Sequence, residues 1–319
     1  MTSSKPFDLT GARVFVAGHR GMVGSAFLRR LAAEPCSLLT AGRRELDLTR
    51  QDATERWIAA ARPDVVIVAA AKVGGIKANN DLPVDFLADN LAIELNLIRA
   101  SHDAGVKKLL FLGSTCIYPR LSRQPMSEDQ LLTGPLEKTN EWYAIAKIAG
   151  IKLCQAFRTQ YGDDFISAMP TNLYGPGDNY DPEQSHVVAA LIRRIHEAKV
   201  ARAPTVAIWG TGTPRREFLH VDDLADACLF LLRTYSSGEI VNVGWGEDIA
   251  IADFARLVAH VVGYTGDLVP DISKPDGTPR KLVDVTRLNA LGWRPRIGLE
   301  EGLRKTYADF LAGHGRHMS

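Results

Sequence analysis

The feature that most constrains this chain is a short apolar run that leads into a glycine-rich turn and then into a helical pattern. Residues Arg13–Ala17 (RVFVA) are typical of a buried strand. The turn reads Gly18-His-Arg-Gly21-Met-Val-Gly24, and the helical pattern begins at its last glycine. A strand, a tight glycine turn and a helix in this order predict the start of a βαβ unit.

The first half of the chain continues this alternation of strand and helix patterns. Asp64–Ala70 is apolar without a break, which indicates a strand that is covered on both faces. We therefore predict an α/β fold with a Rossmann-type doubly wound parallel sheet. Strands are predicted at Arg13–Ala17, Ser37–Thr40, Asp64–Ala70, Lys108–Gly113 and Phe165–Pro170, and helices at Gly24–Ala33, Asp85–Ala104 and Glu141–Tyr161.

The second half is less regular and carries no composition shift that would mark a linker. We predict that a smaller α/β domain interleaves with the first one. Asp222 is predicted to cap its helix. The predicted helices are Ser185–Lys199, Asp222–Arg233, Ile251–Gly263 and Leu299–Ala312, and the predicted strands are Thr205–Trp209 and Glu239–Gly244.

Composition narrows the possible functions. With 38 Lys+Arg against 37 Asp+Glu the net charge is +1, which argues against a nucleic-acid-binding protein. No apolar run reaches the length of about 18 residues that a membrane span needs. The four cysteines show no metal-ligand spacing and are expected to be reduced thiols of a cytoplasmic protein: Cys36, Cys116, Cys154 and Cys228.

The glycine turn predicts a dinucleotide site, because glycines let backbone N–H groups approach a pyrophosphate at a helix N-terminus. The alternative is a tight turn without a ligand. NAD-binding proteins usually carry Asp or Glu at the end of the second strand, but here Arg43 and Arg44 precede the first carboxylate, Glu45. Arginine suits a 2′-phosphate, so we predict NADP(H), with Arg20 adding charge. The alternative is a solvated arginine pair.

A second group of residues suggests hydride-transfer chemistry. Ser114 follows a predicted buried strand, and Tyr143 and Lys147 share one helix face at i, i+4 spacing. A lysine ammonium near the phenol is expected to lower the tyrosine pKa. Lys147 is also expected to hold the nicotinamide ribose, and Ser114 to hydrogen-bond the reacting carbonyl. Such a Tyr/Lys pair also arises by chance on surface helices.

Longer strings make the chain similar to a known family. From about Arg13 to Leu311 it resembles the GDP-L-fucose synthases, which are extended short-chain dehydrogenase/reductases. The strings that carry the resemblance are AGHRGMVGSA, AAAKVGGIKANN, LLFLGSTCIYP, YAIAKIAGIKLC, MPTNLYGPGDN, REFLHVDDLA and SKPDGTPRKLVDVTRL.

The resemblance implies two epimerisations and one ketone reduction in a single pocket, acting on GDP-4-keto-6-deoxy-D-mannose. Cys116 and His186 match the family's base and acid, whereas their residue types alone would favour a buried structural thiol and a helix-cap or surface histidine. Ser114 and Tyr143 would hold the developing enolate oxygen. Trp142 stands where the family often has proline, at the edge of the sugar pocket.

The resemblance also implies the ligand contacts and two domains. Residues 1–176 and 217–244 would bind NADP(H), and residues 177–216 and 245–319 the GDP-sugar. For Arg194 a solvated position and for Trp209 a core position are the alternatives. The implied cofactor contacts are Gly18, Arg20, Gly21, Met22, Val23, Gly24, Arg43, Leu112, Gly113, Lys147, Pro170, Asn172, Leu173 and His186, and the implied substrate contacts are Arg194, Trp209, Arg216 and Asp276.

Two other functions remain open at this level. One is a related epimerase/reductase that acts on another GDP-4-keto-deoxy sugar. The other is a non-enzymatic NADP-binding regulator, which would be expected to lack Tyr143 or Lys147, although both are present. The resemblance further implies a homodimer that packs through the helices Asp85–Ala104 and Glu141–Tyr161.

Overall fold

A computed structural model describes residues 7–182, 185–274 and 276–315. The strands are β1 (Arg13–Ala17), β2 (Ser37–Leu39), β3 (Val65–Val68), β4 (Lys108–Leu112), β5 (Phe165–Pro170), β6 (Asn172–Tyr174), β7 (Thr205–Trp209), β8 (Arg215–Arg216), β9 (Phe218–His220), β10 (Val241–Val243), β11 (Ile249–Ala250), β12 (Asp267–Asp271) and β13 (Arg280–Lys281). The helices are α1 (Met22–Leu31), α2 (Gln51–Ala61), α3 (Ile76–Asp81), α4 (Asn90–Asp103), α5 (Glu141–Tyr161), α6 (Val187–Ala201), α7 (Val221–Thr234), α8 (Ile251–Val262), α9 (Thr286–Leu291) and α10 (Leu299–Leu311).

A sheet of six parallel strands forms the centre of the molecule, in the order β10-β5-β4-β3-β1-β2. Strands β3, β4 and β5 are buried along their whole length. Helices cover both faces of the sheet, which explains why these strands are apolar on both sides. The predicted Rossmann-type doubly wound sheet is confirmed.

Two apolar cores lie on the two faces of this sheet. On one face α1 and α7 pack together, with Phe27 and Leu224 fully buried between helix and sheet. On the other face α4 packs against α2 and α5, and Leu97, Ile98 and Ile151 fill the core. Both layers place the helix N-termini near the carboxyl ends of the strands, where α/β sheets bind ligands.

A third apolar core lies away from the large sheet. It joins α6, α8 and α10 through buried residues such as Ile192, Phe254 and Phe310. Short strands border it: β7 pairs in parallel with β12, and β8 pairs with β11 and β13. Strand β9 pairs with β6 and leads directly into α7, so the chain returns from this region to the main sheet.

The structure corrects several predicted boundaries. The cap of α7 is His220 rather than Asp222, because His220 Nδ1 accepts a hydrogen bond from the Asp222 backbone N–H at 3.2 Å. The helix predicted from Asp85 starts with a π-helical turn, Asp85–Asp89, before α4 begins. Helix α2 and strand β12 were not predicted from the sequence.

None of the described helices is long and apolar enough to cross a membrane. Among the described residues, no group of three or more His, Cys, Asp or Glu side chains is arranged to hold a metal ion.

Candidate active site

The glycine turn between β1 and α1 lies where the strand order reverses, since β2 and β3 stand on opposite sides of β1. Gly18 has φ +84°, and a Cβ there would lie 2.7 Å from the backbone of Ala70. A Cβ on Gly24 would lie 2.1 Å from the Gly18 carbonyl oxygen. Both positions therefore require glycine to close the turn onto the end of β3.

The middle glycine of the turn has a different role. Gly21 is the N-cap of α1, and its Cβ would meet only the Gly18 oxygen at an ordinary 3.5 Å. Met22 and Val23 form the first turn of the helix, which contains no acidic residue. The positive end of α1 is therefore suited to a phosphate group.

A basic surface adjoins this turn at the end of β2. Arg20 packs its guanidinium against Gly42, where a Cβ would lie 2.9 Å away, and Arg43 follows in the chain. Both arginines are exposed. The Glu45 carboxylate accepts a hydrogen bond from Trp57 Nε1 at 3.4 Å. The first carboxylate after β2 is thus engaged with α2, and the arginines dominate the charge at this edge.

Ser114 and Tyr143 meet beyond the carboxyl end of β4. Ser114 begins the 3-10 turn Thr115–Ile117, and its Oγ accepts a hydrogen bond from the Cys116 N–H at 3.3 Å. Desolvation by burial raises the pKa of Tyr143, and a hydrogen bond with Ser114 acts in the opposite direction. The net shift of this pKa is therefore upward, and the expected lowering by Lys147 is wrong.

Lys147 is itself paired with a carboxylate. Its ammonium lies 3.0 Å from Glu94 Oε1, and both side chains are only 2% exposed. The Lys147 Nζ also stands 4.7 Å from the ring centroid of Phe111 and 5.8 Å from that of Tyr143. Gly150 leaves room for the pair, because a Cβ there would lie 2.7 Å from Glu94 Oε2. The lysine charge is thus offset by a buried carboxylate.

Glu94 was missed by the sequence analysis, although its spacing contains a signal. It precedes Leu97 and Ile98 by three and four residues, so it occupies the apolar stripe of α4. Desolvation raises the pKa of Glu94, and the Lys147 ammonium opposes that shift. A carboxylate in such a stripe needs a buried cation as partner.

Asn140 is the second residue that was missed. Its Nδ2 donates a hydrogen bond to Cys116 Sγ at 3.2 Å, and both side chains are partly buried. Asn140 also precedes α5 as its N-cap residue. The structure therefore joins four predicted catalytic residues, Ser114, Cys116, Tyr143 and Lys147, into one cluster at the junction of β4 and α5.

His186 stands on another element. It is the N-cap residue of α6, and it is exposed. The two residues before Ser185 lie outside the described part of the chain. Helix α6 belongs to the third apolar core rather than to the main sheet.

The other predicted cofactor contacts line the carboxyl ends of β4, β5 and β6. Leu112, Gly113 and Pro170 are buried there, and a Cβ on Gly113 would lie 2.4 Å from the Met169 sulfur. Asn172 Nδ2 donates to the Glu217 carbonyl oxygen at 2.8 Å, which ties β6 to β9. Leu173, next in β6, packs partly buried against the core beneath α1.

The predicted substrate residues gather around β7. The Arg194 guanidinium lies over the Trp209 ring at 5.4 Å and donates to the Ala207 carbonyl oxygen at 2.8 Å. Trp209 is 62% exposed, so the alternative of a core tryptophan is wrong. Lys274 approaches the same ring, with its Nζ 5.7 Å from the centroid. An exposed aromatic ring between two cations is available for a planar, anionic ligand.

Asp276 and Arg216 border the same region. Both Asp276 carboxylate oxygens accept hydrogen bonds from Thr211, one from its backbone N–H at 2.9 Å and one from its hydroxyl at 2.8 Å. Desolvation lowers the pKa of Arg216, and Asp276 opposes the shift. The carboxylate thus orders the loop after β7 and offsets part of the charge of Arg216.

Comparisons with known proteins agree with this arrangement. A family model described as the NAD dependent epimerase/dehydratase family matches residues 14–244. A GDP-L-fucose synthase of Sinorhizobium fredii is 58% identical over 304 residues, covering 95% of this chain and 97% of that protein. GDP-L-fucose synthase 1 of Arabidopsis thaliana is also 58% identical, covering 94% and 93%. The structure of a GDP-L-fucose synthetase from Naegleria fowleri bound to NADP superposes with a TM-score of 0.90 at 29% identity, covering 98% and 96%.

Proposed function

The chain belongs to the NAD dependent epimerase/dehydratase family, and we propose that it converts GDP-4-keto-6-deoxy-D-mannose to GDP-L-fucose with NADPH. The observation that carries the proposal is the cluster of Ser114, Cys116, Tyr143 and Lys147 at the carboxyl end of β4. Tyr143 and Lys147 supply the machinery of a ketone reductase, and Cys116 adds a group that is able to move a carbon-bound proton.

NADPH fits the glycine turn and the basic surface beside it. Gly18 and Gly24 leave a cradle that a Cβ would fill, and α1 presents its positive end there. Arg20 and Arg43 are placed for the 2′-phosphate. When bound, the cofactor supplies the hydride that reduces the ketone at C4. Lys147, in its buried position beside Tyr143, is proposed to hold the nicotinamide ribose.

The epimerisations require a base and an acid on opposite faces of the sugar. We assign the base to Cys116 and the acid to His186. Removal of a proton next to the ketone places negative charge on the C4 oxygen, and Ser114 and Tyr143 would stabilise that oxygen by hydrogen bonds.

Tyr143 is also proposed to donate the proton in the reduction. Burial raises the pKa of Tyr143 above its ordinary value, so the phenol keeps its proton at neutral pH. It is therefore suited to act as the acid toward the C4 oxygen.

The GDP-sugar would bind beside the third apolar core. Arg194 and Arg216 are proposed to meet its pyrophosphate, and Trp209 its planar base. Asp276 would keep the β7 loop in place. On this proposal residues 1–176 and 217–244 form the NADP-binding domain, and residues 177–216 and 245–319 form the substrate-binding domain.

The test is to incubate the protein with GDP-4-keto-6-deoxymannose and NADPH in D₂O and to identify the product by NMR. We expect GDP-L-fucose with deuterium at C3 and C5. A product that lacks deuterium at either carbon, or that has another sugar configuration, would overturn the assignment. A kcat/KM that favours NADH over NADPH would overturn the role of the arginines.

We further propose that the protein is a cytoplasmic homodimer. Helices α4 and α5 lie side by side and expose apolar side chains, including Leu95 (50%), Ile145 (41%) and Trp142 (37%). A four-helix contact between two copies would cover them. Light scattering should give twice the chain mass, and Leu95→Glu together with Ile145→Glu should give a monomer. A single-chain mass for the unmodified protein would contradict the dimer.

A further inference from the structure

Asn140 occupies a position that normally has a purely structural explanation. Asparagine is among the preferred helix N-cap residues, because its side chain accepts a hydrogen bond from the first turn. Asn140 is the N-cap residue of α5, but within the described chain its side chain makes no such bond. Helix capping therefore does not account for this asparagine.

The side chain is engaged with the Cys116 sulfur instead. The Nδ2 group donates to Sγ at 3.2 Å, and the positive end of the 21-residue helix α5 lies at the same place. A hydrogen-bond donor and a helix N-terminus both favour a negative charge on sulfur. The Cys116 N–H is fixed separately, by its hydrogen bond to Ser114 Oγ.

The second polar atom of the amide has no corresponding contact. Asn140 Oδ1 is buried and lacks a hydrogen-bond partner among the described residues. A buried acceptor without a donor is costly in a folded protein. A sugar hydroxyl that enters beside Cys116 would satisfy it.

We propose that Asn140 is the positioning residue for the base of the epimerisations, orienting the Cys116 sulfur through a hydrogen bond from its amide N–H and receiving a sugar hydroxyl on its Oδ1. This inference rests on the proposed function. Asn140 would thus act on the sulfur that moves the carbon-bound proton, whereas its hydrogen bond to the sugar would contribute to binding.

The Cys116 thiolate takes the proton from the carbon beside the ketone and becomes a thiol. The C–H electron pair forms a carbon–carbon double bond, and the carbonyl π pair moves to the C4 oxygen to give an enolate. His186 returns a proton to the opposite face of that carbon. The thiol then loses its proton to water and His186 gains one, so both groups are reset.

Two substitutions separate this role from a structural one. Asn140→Ser and Asn140→Asp both keep a good N-cap residue, so α5 should remain stable. Serine is too short to reach the sulfur, and aspartate replaces the donor with a negative charge. Asn289→Asp, on α9, makes the same chemical change away from this cluster and serves as the control.

Three rates and the Tm are measured for each variant. Solvent deuterium exchange into GDP-4-keto-6-deoxymannose reports proton transfer, and oxidation of GDP-L-fucose by NADP⁺ in a single turnover reports hydride transfer without epimerisation. The rate of iodoacetamide alkylation of Cys116, read by peptide mass spectrometry at neutral pH, reports the thiolate without any sugar. Tm is recorded for each.

We expect exchange and alkylation to fall about tenfold or more in both Asn140 variants, as for the loss of a hydrogen bond to a charged atom. At saturating sugar the single-turnover rate of hydride transfer should fall much less than the exchange rate, and Tm should stay close to that of the unmodified protein and of Asn289→Asp. Unchanged alkylation, or an equal fall of exchange and hydride transfer, would overturn the inference. If the unmodified protein exchanges no deuterium, the proposed function fails, and the alkylation rates still decide the role of Asn140.

Discussion

At the scale of single residues, the stability of the site depends strongly on the buried ion pair between Lys147 and Glu94. Each side chain is 2% exposed, so neither charge is stabilised by water. The Glu94 oxygens have no hydrogen-bond partner among the described residues beyond this ion pair. Removing either member leaves an uncompensated charge in the core, which is far costlier than breaking an exposed pair.

Glu94→Gln is therefore expected to lower the free energy of unfolding by about 3–5 kcal/mol, the range for one lost partner of a buried pair. Urea denaturation provides the measurement. Asp52→Asn, which breaks the exposed pair of Asp52 with Arg56, is the control and should leave the midpoint unchanged. Equal midpoints for Glu94→Gln and the unmodified protein would contradict the buried-pair account.

His220 makes the stability of the folded protein depend on pH. It is fully buried, caps α7 through Nδ1 and packs edge-on against Tyr174. Desolvation lowers the pKa of His220 from 6.5 to about 4, while Asp222 opposes and Lys305 and Arg29 assist the shift. Because the folded state resists protonation, this contribution to stability is full above pH 6.5 and is lost as the pH falls toward 4.

The loss amounts to about 3 kcal/mol over that window. His220→Asn keeps an acceptor for the cap of α7 and should flatten the dependence. The measurement is the urea midpoint at pH 7 and at pH 4.5 for both proteins. If both lose the same stability on acidification, His220 is not the group responsible.

At the scale of elements, the junction of β1 and α1 shows why sequence patterns place this site so well. The contact of Gly24 with the Gly18 carbonyl oxygen lies within seven residues, so the glycine spacing encodes this part of the turn, whereas the approach of Gly18 to Ala70 is long-range. Strands β5 and β7 and helix α5 have the predicted bounds. Local patterns succeed where the interactions that decide the structure are themselves local.

Elements with few buried residues were not predicted, because they show no clear apolar pattern. Helix α2 buries only Thr54 and Ile58, and β12 is largely exposed and contains Pro270. The roles of Glu94 and Asn140 depend on partners 53 and 24 residues away. Local spacing places Glu94 in an apolar stripe but does not identify its partner, so the motifs predicted the candidate catalytic residues but not the residues that contact them.

Gly24→Ala tests the turn as a unit. The added Cβ would lie 2.1 Å from the Gly18 oxygen, so α1 must shift away from β1. We expect a loss of about 1–3 kcal/mol in the free energy of unfolding, as for other overpacked positions, together with weaker NADPH binding. Gly21→Ala, with its ordinary 3.5 Å contact, should retain the stability. Equal stability for the two variants would contradict the close packing.

At the scale of the whole molecule, ligand binding depends on local charge rather than on net charge. The chain carries +1 overall, yet the proposed cofactor and substrate are polyanions. On the proposed function, Arg20 and Arg43 beside the glycine turn would provide positive charge for the cofactor, and Arg194 and Arg216 near β7 would provide it for the substrate. One arginine pair therefore lies beside the main sheet, and the other lies beside the third apolar core.

The central claim is that one pocket carries out both proton transfer and hydride transfer. The most direct measurement is NMR of GDP-4-keto-6-deoxymannose incubated with NADPH in D₂O, with the unmodified chain, Tyr143→Phe and Cys116→Ser compared. The account predicts deuterated GDP-L-fucose from the unmodified chain, no reduced product from Tyr143→Phe, and strongly impaired exchange at C3 and C5 with Cys116→Ser. Normal exchange by Cys116→Ser, or normal reduction by Tyr143→Phe, would contradict it.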